Sequence, residues 1–210
     1  MTALVPANRA TIAQAAAILK AGGIVSFPTE TYYGLAVDPF NPEAVDRLFR
    51  LKRRSRLLPL LVLVQSKDHV EGLVNALPAS ALRLIERYWP GPLTLVCPAR
   101  PELPPLLTGG TGTVGFRQSS HAVAAQLVAS CGRPVTATSA NSSGAPAAVS
   151  AVETVRIFGD ALDLVLDGGV TPGGSASTLV ACEGETAQCL REGMIPFSEI
   201  QNFLSSLNTV

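Results

Sequence analysis

Short apolar runs alternate with helix-like segments along almost the whole chain, and this alternation restricts its fold more than any other feature. The apolar runs are bounded by Pro, Gly or small polar residues, which is typical of buried strands. Strands are predicted at Ile24–Phe27, 60–64, Leu93–Cys97, Thr113–Arg117, Val135–Thr138, 163–167, 177–181 and 186–191. Helices are predicted at 9–21, from Asn41-Pro42-Glu43 onwards, and at 66–74, 79–88, 119–131, 150–158 and 198–207, with loops at 98–112 and 139–149.

Strands interleaved with helices predict an α/β fold (α+β in some classifications), in which helices cover a twisted sheet. The hairpin-like pair within 177–191 predicts that this sheet mixes parallel and antiparallel strands. A chain of 210 residues, 47% hydrophobic and 15% charged, can bury a large core without disulfide or metal staples. No repeat or linker divides it, so one domain over residues 1–210 is expected.

Cysteine and histidine usage argues against several kinds of chemistry. Cys97, Cys131, Cys182 and Cys189 form no Cys-x-x-Cys pair, which predicts reduced thiols and no metal site. The two histidines, His69 and His121, lie in polar helical contexts, so a histidine base is not expected. No secretion signal or membrane-length apolar run is present, and the chain is expected in the cytoplasm, away from membranes.

A dense basic cluster is the strongest local charge feature. Six of the sixteen Lys and Arg residues lie within ten positions, namely Arg47, Arg50, Lys52, Arg53, Arg54 and Arg56. On a chain of net charge zero, beside a buried strand, this cluster predicts a site for phosphate, carboxylate or nucleic-acid backbone. Solvated surface is the competing interpretation. Lys52 and Arg54 are two residues apart, so they can face one ligand only where the helix becomes irregular.

Polar groups follow other strands at positions where α/β sheets bind ligands. One segment runs from Pro28 to Leu35 and another from Thr138 to Gly144, and both are rich in hydroxyl groups. Ordinary turns held by Thr, Ser and Asn side chains would look the same. Arg117 and Arg191 each end a predicted strand, where an arginine either grips a carboxylate or phosphate or is a plain edge charge.

Taken in order, these segments resemble the YrdC-like threonylcarbamoyl-AMP synthase family over about residues 10–200. The motifs that carry the resemblance are Phe27-Pro28-Thr29-Glu30-Thr31-x-Tyr33-Gly34-Leu35, Lys52-x-Arg54, Trp89-Pro90-Gly91-Pro92-Leu93-Thr94, Thr113-Val114-Gly115-Phe116-Arg117, Ser139-Ala140-Asn141-x-Ser143-Gly144, Ser177-Thr178-Leu179 and Leu190-Arg191. The resemblance implies a single YrdC-like domain that encloses a positively charged cavity.

The resemblance also implies a reaction, in which L-threonine, bicarbonate and ATP give threonylcarbamoyl-AMP and pyrophosphate for tRNA modification. Lys52 and Arg54 would be catalytic. ATP would be bound by Lys52, Arg54, Thr113, Asn141 and Arg191, and threonine by Thr31, Arg117, Ser139 and Ser177. No protein metal site is implied, and Mg²⁺ would be held mainly by the phosphates. The implied partners are downstream tRNA threonylcarbamoyl-transfer proteins, with weak RNA or tRNA binding.

This chemistry suits the residue inventory. A carboxylate that attacks the α-phosphate is already ionised, so it needs positioning and positive charge rather than a protein nucleophile or base. Four positions depart from the family pattern, namely Leu58, Leu63, Val149 and Ala176. Two alternatives stay open: an RNA-binding module of the same fold without chemistry, and a paralogue that acts on another carbamoyl or acyl substrate.

Overall fold

The computed structural model describes residues 2–206. Its strands are β1 Ala3–Pro6, β2 Val25–Pro28, β3 Tyr33–Ala36, β4 Leu61–Leu63, β5 Leu93–Pro98, β6 Thr113–Arg117, β7 Val135–Thr136, β8 Thr138–Ser139, β9 Leu164–Asp167, β10 Thr178–Glu183 and β11 Thr186–Arg191. Its α-helices are α1 Arg9–Lys20, α2 Pro42–Lys52, α3 Lys67–Glu71, α4 Ala79–Tyr88, α5 Pro105–Thr108, α6 Ala122–Cys131, α7 Ala151–Phe158 and α8 Phe197–Ser206, with a 3-10 helix at Gly159–Ala161. The last residue of the predicted terminal helix, 207, lies outside the described residues.

The α/β fold with mixed strands is confirmed, but the strands form two sheets where one was expected. The first sheet has the order β1-β9-β2-β3-β8, and the second has the order β11-β10-β5-β6-β4-β7. Each sheet contains parallel pairs, such as β2 with β9 and β10 with β5, and antiparallel pairs, such as β2 with β3 and β10 with β11. The sequence pattern predicts strands one at a time, and it does not say which strands share a sheet.

Three elements were missed because their sequences lack the usual signals. β1 is an exposed edge strand that carries little apolar periodicity. β3 lies in the segment interpreted as a polar turn, although all four of its residues are buried. The prediction of pure loop at 98–112 was wrong, because Pro105 begins the short helix α5 there.

The predicted strand Val135–Thr138 is divided at Ala137, and the division joins the two sheets. Thr136 belongs to β7, which pairs with β4 in the second sheet, whereas Thr138 belongs to β8, which pairs with β3 in the first. The Ala137 amide donates to the carbonyl of Leu61 at 2.7 Å. The chain therefore passes from one sheet to the other within a single residue.

Helix α2 begins and ends with specific local interactions. The side-chain Oδ1 of Asn41 accepts from the amides of Glu43 and Ala44, both at 3.1 Å, and Pro42 occupies the first turn. The helix ends at Lys52, and Arg53 caps it in the left-handed conformation with φ of 50°. Arg53 is the single non-glycine residue with positive φ among residues 2–206. This reversal breaks the helical spacing directly before Arg54.

Helices cover both sheets and enclose two buried apolar clusters. The smaller cluster packs α1 and α6 against the first sheet through residues such as Leu19, Phe27 and Leu127. The larger cluster includes Leu48 of α2 and Leu84 of α4 and extends over both sheets. Within the described part of the chain, no helix is both long and apolar enough to cross a membrane.

We expect Asn41→Ala to lower the free energy of unfolding by about 1 kcal/mol, because two amides at the start of α2 lose their acceptor. Asn41→Asp keeps an acceptor oxygen and should stay close to the wild type. Urea unfolding followed by circular dichroism measures both. Equal midpoints for the Ala variant and the wild type would contradict the assigned cap.

Candidate functional site

A cleft with a volume of about 140 Å³ lies where the two sheets meet. Its walls are formed by Thr29, Thr31, Tyr32, Tyr33, Gly34, Arg54, Pro59, Leu60, Leu61, Arg117, Ala137, Thr138, Ser139, Ala176, Ser177 and Arg191. The first sheet contributes β3, β8 and the turn that precedes β3. The second sheet contributes β4, the end of β6, and Arg191 at the end of β11. The crossing at Ala137 forms part of the wall between them.

The structure brings most of the sequence-predicted site residues together at this cleft. Six of them line it directly, namely Thr31, Arg54, Arg117, Ser139, Ser177 and Arg191. Lys52 and Asn141 lie directly behind Ser139. Thr113 lies apart from the lining, at the first residue of β6, where its hydroxyl is 2.9 Å from that of Thr111.

Lys52 is the buried anchor of the site, with 1% of its surface exposed. Its Nζ donates to the carbonyl of Ser139, to the carbonyl of Asn141 at 2.7 Å, and to Oδ1 of Asn141 at 3.2 Å. The same Oδ1 accepts from the Ser139 hydroxyl at 2.7 Å, and the Lys52 carbonyl accepts from the Ser143 amide at 2.9 Å. The Lys52-x-Arg54 and Ser139-x-Asn141 motifs are therefore one hydrogen-bonded unit.

Burial lowers the pKa of Lys52, and the neighbouring charge of Arg54 lowers it further, to about 7. The three oxygen acceptors around Nζ match the three N–H groups of an ammonium ion, so they stabilise the charged form once it is present. With a pKa of about 7, Lys52 can gain or lose its proton near neutral pH.

Arg54 reaches the cleft because the left-handed Arg53 turns the chain after α2. Its Nη2 donates to the carbonyl of Pro59 at 3.0 Å, while its Nε is buried and has no hydrogen-bond partner among residues 2–206. Burial also lowers the pKa of this guanidinium. A buried donor without a partner is costly, and a ligand oxygen would remove that cost.

Arg117 is buried, and its Nη1 donates to the Glu30 carboxylate. The second oxygen of Glu30 accepts from the Ser119 hydroxyl, so each carboxylate oxygen has a partner. Burial lowers the pKa of Arg117, the Glu30 charge raises it, and the charge of Arg191 lowers it. The two arginines are thus close enough to repel each other.

Ser177, which lines the cleft, joins Arg191 to a buried hydroxyl behind it. Arg191 Nη2 donates to the Ser177 carbonyl at 2.8 Å and lies 3.4 Å from its hydroxyl. The Ser177 hydroxyl is 2.8 Å from that of Thr94, which is fully buried. Burial lowers the pKa of Arg191.

In the turn between β2 and β3, the hydrogen bonds determine which way the Thr31 hydroxyl donates its proton. The Thr29 hydroxyl donates to the Tyr32 carbonyl at 2.7 Å, which uses its single proton. At 3.0 Å from it, the Thr31 hydroxyl must then be the donor to Thr29. The free lone pairs of Thr31 are therefore available to accept a hydrogen bond in the cleft.

The other arginines of the basic cluster form ion pairs with acidic residues. Arg47 pairs with Asp163 at 2.9 Å, and Arg50 and Arg56 both pair with Asp46. These partly exposed pairs lie outside the cleft lining, so the cluster divides into structural arginines and the Lys52-Arg54 unit. The sequence analysis selected Lys52 and Arg54 by their motif, and the structure shows the ion pairs of Arg47, Arg50 and Arg56.

The four departures from the family pattern fall in different environments. Leu63 is buried in the apolar cluster beneath α1 and α6, and Leu58 is exposed on the loop after Arg54. Val149 accepts through its carbonyl from the Thr171 amide at 2.9 Å. Ala176 is the one departure among the residues that line the cleft.

Glu30, Thr29 and Thr94 were not singled out by the sequence analysis, although each lies within a quoted motif. The available signal for Glu30 was an acid in a turn otherwise made of hydroxyl residues. Its partner, Arg117, is 87 positions away, and no local pattern reports such a contact. Thr94 looked like any strand residue, because burial beside Ser177 depends on the pairing of β5 with β10.

The cleft can hold an anion through guanidinium groups and can orient polar groups through hydroxyls. Among residues 2–206, no group of three or more His, Cys, Asp and Glu side chains could hold a metal ion. His121 caps α6 through its Nδ1, and burial lowers its pKa. The fold and the cleft together define an α/β protein with an arginine-lined cleft between two mixed sheets.

Comparison with known proteins gives the family. A family model for Sua5, YciO and YrdC proteins, described as "Telomere recombination", matches residues 17–193. The chain therefore belongs to the Sua5/YciO/YrdC family. Threonylcarbamoyl-AMP synthases of Pyrococcus abyssi and Bacillus subtilis are 37% and 36% identical over 92% and 96% of this chain. The chain spans 57% and 58% of the length of those two relatives.

A shorter threonylcarbamoyl-AMP synthase, from Thiobacillus denitrificans, is 40% identical over 78% of this chain and 87% of its own length. Pyrococcus abyssi Sua5 complexed with L-threonine superposes with a TM-score of 0.89 at 35% identity, covering 97% of this chain and 60% of that one. Escherichia coli YciO, at 23% identity and a TM-score of 0.85 over 95% of this chain and all of its own, shares the fold.

Lys52 should make stability depend on pH. Its pKa is about 7 in the folded chain and near 10.4 when unfolded, so between these values the unfolded chain binds more protons. The free energy of unfolding should therefore rise with pH over that window through Lys52, as the penalty of burying its charge is relieved. Denaturant unfolding from pH 6.5 to 10 should show a smaller rise for Lys52→Met.

Lys67→Met is the matched control, because Lys67 is exposed on α3. Its pH profile should follow that of the wild type. A Lys52→Met profile parallel to the wild type would contradict the lowered pKa.

Proposed function

We propose that the chain is a threonylcarbamoyl-AMP synthase that uses L-threonine, bicarbonate and ATP and releases pyrophosphate. The family membership and the names of the relatives support this function. The observation that carries it is the cleft itself, where three guanidinium groups line one small volume and the buried Nε of Arg54 has no hydrogen-bond partner in the described part of the chain. A triphosphate supplies oxygens of the required charge at that position.

The polar groups suggest a division of the cleft. Arg54 and the Lys52-Asn141 unit form one end, which suits the phosphates of ATP. At the other end of the cleft, the Thr31 hydroxyl can accept a hydrogen bond and Arg117 can donate one. This pair suits the polar groups and the carboxylate of threonine. Ser177 and Arg191 also line the cleft, and the charge of Arg191 is close enough to act on Arg117. Thr113 lies outside the lining, so a contact with ATP would require the nucleotide to extend beyond the cleft.

The chemistry needs charge and alignment from the chain. Threonine and bicarbonate combine to a carbamate with loss of water. A carbamate oxygen then forms a bond to the α-phosphorus of ATP, the bond from that phosphorus to the bridging oxygen breaks, and pyrophosphate leaves. Cationic groups fixed before the reaction stabilise the charge that develops on the phosphoryl oxygens and leaving group. Arg54 and Lys52 are the proposed catalytic groups, and Lys52 would act through its charge because its N–H groups are engaged by Ser139 and Asn141.

Mg²⁺ is not assigned a protein site. The residues that line the cleft include no carboxylate, and Glu30 behind them is already paired with Arg117 and Ser119. The donor set does not fit a Mg²⁺ cage, which prefers oxygen ligands in octahedral geometry. Mg²⁺ would instead be held by the phosphates of ATP.

The wider context follows from the same proposal. The product would pass to tRNA threonylcarbamoyl-transfer proteins, in the cytoplasm, where the four free thiols would stay reduced. Because both sheets contribute to one cleft, we treat the chain as one domain.

A broad RNA-binding face has less support, since Arg47, Arg50 and Arg56 are paired with acidic residues. Any RNA contact would be weak.

Pyrophosphate release should require ATP, L-threonine and bicarbonate together. A coupled pyrophosphatase assay on the purified chain measures it, with each substrate omitted in turn. Release that continues without threonine would contradict the proposed function. Release with a different amino acid in place of threonine would identify a paralogue with another substrate.

Arg54→Ala should lower the rate of pyrophosphate release about 100-fold, as expected when one preorganised charge-stabilising donor is lost. Arg50→Ala removes the same side chain from the outer face of α2, where it pairs with Asp46, and should change the rate less than about twofold. Equal rates in the two variants would show that Arg54 does not act on the reacting phosphates.

A further inference from the structure

Arg117 is held on one side only. Its Nη1 is engaged by Glu30, and among residues 2–206 no other hydrogen bond to its side chain is present, while the residue lines the cleft. The remaining N–H donors are therefore left for a ligand. A guanidinium used in this way bridges a fixed carboxylate of the protein and a mobile one from the substrate.

The surroundings of Arg117 require a counter-ion beside it. Arg117 and Arg191 lie close enough for their charges to oppose each other, and Arg54 adds a third guanidinium to the same cleft. Side-chain exposure of Arg117 is 8%, so water does little to screen its charge. Glu30, with 13% of its side chain exposed, is the counter-ion at this position.

Glu30 is itself fixed by two elements. It lies in the turn between β2 and β3, beside Thr29 and Thr31, whose hydroxyls are hydrogen-bonded to each other. Its other oxygen accepts from the Ser119 hydroxyl, which also accepts from the His121 amide at 3.2 Å. The carboxylate thus connects the turn of the first sheet to the segment that follows β6 in the second.

We infer that Glu30 is a positioning residue, which holds Arg117 so that its free donors meet the carboxylate of the amino-acid substrate. The inference rests on the proposed function, in which Arg117 binds threonine. Glu30 lies outside the cleft lining, so it acts on the substrate only through Arg117. Its removal should therefore weaken the binding of the amino acid and leave the binding of the nucleotide largely intact.

Glu30→Ala should raise the Kd for L-threonine at least about tenfold, because a buried guanidinium loses a charged hydrogen-bond partner. Glu30→Gln should recover part of this loss, since its amide oxygen can still accept from Arg117 although the charge that offsets the neighbouring arginines is gone. Ser119→Ala removes only the second hydrogen bond of Glu30 and should have a smaller effect. Isothermal titration with threonine, and separately with ATP, measures these changes, and the Kd for ATP should change less than about threefold.

Asp163→Asn is the matched control, since Asp163 is also an acid with an arginine partner and an amide partner but lies away from the cleft. It should leave both affinities unchanged. Threonine binding by Glu30→Ala within twofold of the wild type would overturn the inference, and so would an equal loss for threonine and ATP. A Gln variant as weak as the Ala variant would assign the effect to charge and overturn the positioning role.

A crystal structure of Glu30→Ala separates this inference from the proposed function. The Arg117 side chain should leave its wild-type position even without ligand. If wild-type protein releases no pyrophosphate and binds no threonine, the proposed function fails, whatever Arg117 does. If wild-type protein is active and Arg117 keeps its position in the variant, the role of Glu30 fails alone.

Discussion

The candidate site depends on burying the ammonium group of Lys52 between α2 and the turn that follows β8. An amine removed from water at this depth must be given acceptors, and the chain supplies three oxygens from Ser139 and Asn141. Because these are mostly backbone groups, the requirement is on the path of the chain as well as on its side chains. The turn can reach Lys52 only if the chain has already crossed between the sheets at Ala137.

The cationic and hydroxyl groups that line the cleft are likewise held in place by residues that lie behind the lining. Lys52 supports Ser139, Glu30 supports Arg117 and Thr94 supports Ser177. In each pair the first residue lies outside the cleft lining and holds a second residue that lines the cleft. Preorganisation of this kind suits a reaction whose nucleophile and leaving group both come from the substrates, since the protein then contributes alignment and charge.

The sequence was enough to predict where the motifs and most of the helices lie, because both depend on residues close together in the chain. It placed α2 through Asn41 and Pro42, and it separated Lys52 and Arg54 from their basic neighbours. It did not reach β3, whose Tyr33 and Gly34 resemble turn residues until the flanking strands bury them. It also did not reach the Glu30–Arg117 pair or the division into two sheets, because both are set by contacts between segments far apart in sequence.

The crossing at Ala137 also bears on association between copies of the chain. β7 is the last strand of the second sheet and β8 is the last strand of the first, and each is two residues long. An edge this short offers few unpaired amides and carbonyls to an incoming strand. The crossing at Ala137 therefore forms part of the cleft wall and also gives each sheet one very short edge. Such an edge disfavours edge-to-edge aggregation at that side of the sheet.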